Sequence, residues 1–127
     1  MASLFELEQP SFGRSSTGAA LVTAANADVT LTAAQSVGAV VVHTPTSNKI
    51  VTTATGAEII AELGAQAKVG QTFEVVIVNL GGSTYTSTLT AGASGVTVTG
   101  VAAVQPGTSG TFIGRVTSST AVTFYRK

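Results

Sequence analysis

The chain has 127 residues, the size of one domain with a modest core, since domains typically hold roughly 100 to 150 residues. Six basic and six acidic residues cancel, only 9% of the chain is charged against roughly 25% in an ordinary soluble protein, and 44% is hydrophobic. That balance is the reverse of a disordered chain, and it argues against a nucleic-acid partner, because Arg14, Lys49, Lys68 and Arg115 stand alone and only Arg126 and Lys127 are adjacent.

Residues 1–17 read as an extended N-terminal arm. Leu4, Phe5, Leu7 and Phe12 stand among Glu6, Glu8, Gln9 and Pro10, too interrupted for a stable helix yet apolar enough to need cover. Packing back on its own domain, fraying and docking on a neighbouring subunit are all open to such an arm. Residues 18–127 read as one β domain: Val and Thr dominate beside Ala, Gly and Ser, and branching at Cβ suits a pleated strand better than a helix.

Within that domain, Ala20–Ala24 and Asp28–Ala33 read as short strands separated at Asn26. Val37–His43 follows, ending at the turn-forming cluster Thr44–Asn48, with Val40, Val41 and Val42 predicting burial on both faces, as in a sandwich interior or a subunit contact. Lys49–Thr53 resumes as a strand. The segment 55–64, TGAEIIAELG, breaks the β pattern: Thr55 three residues before Glu58 is a capping box, Ile59, Ile60 and Leu63 form a one-sided stripe, and Gly64 closes the turn. One short helix over about 56–63 is expected. QTFEVVIVNL is then the strongest strand and a central one, with Phe73, Val75 and Ile77 on one face and Val76, Val78 and Leu80 on the other, leaving Glu74 for solvent or an interface. After Gly81 and Gly82, the segment 84–90 alternates with its threonines outward, Val96–Thr99 makes a further strand, Gln105, Pro106 and Gly107 form a turn, and Thr111–Thr117 and Ala121–Arg126 close the domain. Turn signals about every 8 to 12 residues predict a β-sandwich or barrel in place of alternating βαβ units. No repeat of solenoid length is visible.

Reactive constellations are sparse. With no cysteine there is no disulfide, thiolate nucleophile or thiolate metal ligand. His43 is the single histidine and reads as a partly exposed strand end; a triad of His43, Asp28 and a serine lacks a nucleophile-elbow motif. Glu58 and Glu62 share a helix face, but without a third partner they read as a cap and a solvated neighbour, and Glu6 and Glu8 as solubilising charges. No phosphate loop or dinucleotide fingerprint occurs, so no cofactor, metal or enzymatic activity is expected. The segment Phe124–Lys127 reads as a closing strand with a charged end, since an isolated cluster lacks the basic groove that holds a single-stranded nucleic acid. The N-terminus lacks the basic and apolar regions of a secretory signal, and the apolar runs at 37–42 and 73–78 fall far short of the roughly 18 to 20 residues that span a bilayer, so neither a leader nor a membrane partner is expected.

A surface of threonine, serine and alanine with no net charge repels its own copies weakly, which predicts an assembly. The stretch from TGAEIIAELG through VGQTFEVVIVNLGG, TSTLTAGASGVTVTG and VQPGTSGTFIGRVTSSTAVTFYRK, residues 55–127, resembles the capsid decoration (cement) proteins of tailed bacteriophages and related virion fibre domains. The resemblance implies an all-β, jelly-roll-like β-sandwich, a homotrimer on the capsid exterior, and the major capsid protein as partner. On that reading Leu4, Phe5, Leu7 and Phe12 are the expected docking anchors. A receptor- or glycan-binding module of a head or tail fibre is the alternative; Tyr85 and Tyr125 as the only tyrosines, with no tryptophan, support it poorly.

Overall fold

The computed structural model describes residues 20–127. The arm and its four expected anchors lie outside the described residues. Among the described residues ten strands form two sheets around one apolar core. The first three pairs are β1 (Leu21–Ala24) and β2 (Val29–Thr30), β3 (Val40–His43) and β4 (Lys49–Thr52), and β5 (Thr72–Asn79) and β6 (Ser87–Thr90). They are followed by β7 (Val96–Thr99), β8 (Ala103–Val104), β9 (Thr108–Val116) and β10 (Val122–Arg126). The larger sheet has the order β1-β3-β5-β9-β10-β7 and the smaller one β2-β4-β6-β8.

The chain therefore winds. It alternates between the sheets through its first six strands, so that β1, β3 and β5 stack in parallel on one side and β2, β4 and β6 on the other. β9 then returns antiparallel to β5, β8 antiparallel to β6, and β10 joins β9 to β7. A strict jelly roll is built of antiparallel Greek-key ladders; what this mixed fold shares with it is a pair of sheets enclosing a core. Asparagine side chains tie successive coils: Asn26 Oδ1 accepts from Thr46 N at 3.0 Å, and Asn48 Oδ1 accepts from Thr86 N at 3.0 Å.

Among the described residues two α-helices connect strands of the two sheets. The expected helix is α2 (Gly56–Leu63), with both capping-box bonds formed and Gly64 at φ +60° closing it. Ile59 and Leu63 are buried, and α2 packs on β10. The other, α1 (Ala33–Ser36), cuts short the strand expected over 28–33, which forms at Val29–Thr30. Thr32 and Gln35 make a second capping box, and local cap bonds outweigh the β preference of the preceding residues. After α2 the chain makes a 3-10 turn, Gly64–Gln66.

Inward residues alternate along each strand as the pleat requires. Val41, Val75, Ile77, Phe112 and Phe124 of the larger sheet meet Val51, Leu89 and Val104 of the smaller one, all at or near zero exposure. Phe73 packs edge-on against Phe124, with centroids 5.6 Å apart at 84°. Its place depends on Gly114, the residue in register with it on β9, because a Cβ there would enter the Phe73 ring. Arg126 closes one end, lying over the Phe112 ring and donating to the carbonyls of Val101 and Ala103.

Candidate functional site

The single histidine is buried, which corrects the expectation of a partly exposed strand end. His43 and Asn79 are register partners on β3 and β5, and Ser87 on β6 faces them from the other sheet. Ser87 Oγ lies 2.6 Å from His43 Nδ1, and His43 Nε2 lies 2.8 Å from the carbonyl oxygen of Ala27. A carbonyl only accepts, so Nε2 carries a proton, and in the neutral ring Nδ1 is then the acceptor to which the Ser87 hydroxyl donates. Asn79 Nδ2 donates to the carbonyls of Tyr85 and Val104, both at 2.9 Å, and its Oδ1 accepts from Gly81 N at 2.8 Å.

A serine hydrogen-bonded to an imidazole has the form of a nucleophile and its base. Here the group orienting the imidazole is a backbone carbonyl, and Asp28 is engaged elsewhere, its Oδ1 accepting from Ile50 N at 3.1 Å. His43, Asn79 and Ser87 are all at 0% exposure, so no substrate reaches the hydroxyl. What the trio does chemically is satisfy every polar atom it buries while it braces the two sheets. The pairing spans 44 residues and carries no local sequence signal.

Of the carboxylates, Glu58 is the cap the sequence suggests. Glu58 accepts from Thr55 N at 3.0 Å while Thr55 Oγ1 accepts from Glu58 N at 3.2 Å. Among the described residues no group of three or more His, Cys, Asp or Glu side chains is placed to hold a metal ion, and no helix is long and apolar enough to cross a membrane. An open groove of about 590 Å³ lies between the helix N-termini and the edge of the smaller sheet, lined by Thr30, Thr32, Thr53, Thr55 and Glu58 among others. Most of its polar groups are already used: Thr32 and Thr55 cap helices, and Thr53 Oγ1 donates to Ala54 O and accepts from Gly92 N.

The remaining feature is the outer face of the larger sheet. Register sets Leu21, Val40 and Val76 side by side, with Thr23, Val42 and Val78 in the next outward row. Val40, Val42, Val76 and Val78 are half-buried, and Leu21 and Leu80 are 70% and 58% exposed. Of the two faces of β3 and β5, the inward one is sealed within the described residues, and the outward one is apolar and half-buried. Charges on the outward rows are few, with Glu74 on β5, Arg115 on β9 and Lys127 beyond β10. No protein-family model, curated protein or solved structure matches the chain.

Proposed function

We propose that this chain is a non-enzymatic virion protein, a capsid decoration (cement) protein that binds the outer surface of the major capsid protein shell as a homotrimer and stabilises it. The observation that carries the reading is the open, apolar and nearly uncharged outer face of the larger sheet, joined to a core whose one serine–histidine pair is sealed. The jelly-roll-like form belongs to this proposal in the sense of two sheets around a core, and the resemblance of residues 55–127 supplies the capsid as partner.

The sheet edges support self-association. β1 and β7 border the larger sheet, β2 and β8 the smaller, and none of the four carries a lysine or proline to blunt pairing. β1 and β7 also run in the same direction, as the chain of parallel and antiparallel pairings between them dictates. Joining the β7 edge of one copy to the β1 edge of the next preserves strand direction, as a head-to-tail ring of three requires. Individually weak contacts then multiply over many copies on a shell.

The test is co-sedimentation with shells assembled from the major capsid protein encoded in the same genome. The full chain is expected to pellet with the shells, and a variant lacking residues 1–13 to stay in the supernatant with its β fold intact. Undiminished binding of the truncated chain removes Leu4, Phe5, Leu7 and Phe12 as anchors. Failure of the full chain to bind overturns the decoration reading. The receptor- or glycan-binding alternative gains nothing from the groove, whose hydroxyls are largely committed to internal bonds.

A further inference from the structure

We propose that the outer face of the larger sheet, across β1, β3 and β5, is the seat of the chain's own N-terminal segment in the free protein, with Phe5 and Leu7 set over Val40, Val42, Val76 and Val78. This goes beyond the decoration reading and does not depend on it. Four observations converge on this occupant.

The first is the face itself. Leu21, Val40 and Val76 are adjacent in register, as are Val42 and Val78, and every apolar Å² left in water forgoes about 25 cal/mol. The second is where the chain goes. The described residues begin at Ala20, next to Leu21, so the segment is tethered at the border of the patch. Residues 8–19, at roughly 3.3 Å each when extended, far exceed the ~10 Å between β1 and β5, and Pro10, Gly13 and Gly18 suit a reversal. Tethering at this length sets an effective concentration on the order of millimolar, which a separate copy must exceed to compete.

Size and pattern supply the other two. Three adjacent strands of four residues present roughly 15 by 13 Å, about 200 Å². A stable interface between two domains needs about 800 Å² on each side, so this patch fits one extended segment better than a second copy. In an extended conformation Phe5 and Leu7 fall on one side of the backbone and Glu6 and Glu8 on the other. Laid with the aromatic side down, the segment covers the valines and turns its carboxylates to water.

The chain has no cysteine, so Gln9→Cys accepts a single nitroxide label on the otherwise intact protein. In the isotope-enriched labelled chain, the amide signals of Val40, Val42, Val76 and Val78 are expected to lose intensity, and the same loading of Phe5→Glu/Leu7→Glu is expected to restore them. A mixture of labelled unenriched chain with unlabelled enriched chain is expected to show no loss. Loss in the mixture places the segment on a second copy and overturns the proposal, as does an unaffected spectrum of the labelled chain. Shell co-sedimentation reads the decoration proposal separately, because a free chain can seat its segment whether or not it binds a capsid.

Discussion

The carbonyl of Ala27 fixes the tautomer of His43, and the tautomer fixes what Ser87 must do. With Nε2 donating to Ala27, Nδ1 has Ser87 Oγ as its hydrogen-bond donor, and both atoms are shut away from water. Ser87→Ala removes the donor and leaves a buried acceptor unmade, a loss on the order of 1–3 kcal/mol. We expect a lower urea midpoint with an unchanged slope and an unchanged β spectrum; a midpoint equal to that of the parent chain would show that the bond contributes nothing. Neither partner announces itself locally. His43 ends an apolar run before Thr44 and Pro45, which is where a polar strand terminus belongs, and only the facing strand 44 residues later makes burial tolerable.

Among the elements, the two capping boxes do comparable local work in unequal settings. Thr55 caps a helix that buries Ile59 and Leu63, whereas Thr32 caps a single turn in which only Ser36 is buried. Thr55→Ala is therefore expected to cost about 1 kcal/mol and Thr32→Ala to fall near the lower end of the ~0.5–2 kcal/mol range for lost caps, both read as shifts in chemical denaturation. Equal losses would show that the buried face of α2 does not amplify its cap. Thr55 and Glu58 were legible because an apolar stripe follows them. Thr32 and Gln35 have the same spacing but sit in a Val- and Thr-rich stretch with no stripe behind, so a β reading of 28–33 prevails until the fold is known. The asparagine ties are likewise legible only as polar breaks, since each reaches the next coil.

At the scale of the whole molecule, the near absence of charge has a consequence for assembly. Contacts made by uncharged sheet edges are not screened by ions, so self-association is expected to hold as salt rises from about 0.05 to 0.5 M, a range in which screening shortens well below 10 Å. Sedimentation velocity at both limits checks this; dissociation at the upper limit would assign the contact to the few dispersed charges. The sequence by itself determined the β class, the second helix with its cap, the central strand 72–79 and the lack of thiol chemistry. Those properties rest on torsional preference, cap bonds and alternation, which act over a few residues. Tertiary structure alone decided the parallel winding, the burial of His43 and the open outer face of β3 and β5. The two coils differ in length because α1 spans one turn and α2 two, so no repeat marks them, and side-chain alternation cannot say which face a neighbouring sheet will cover. Pairing across tens of residues settles that.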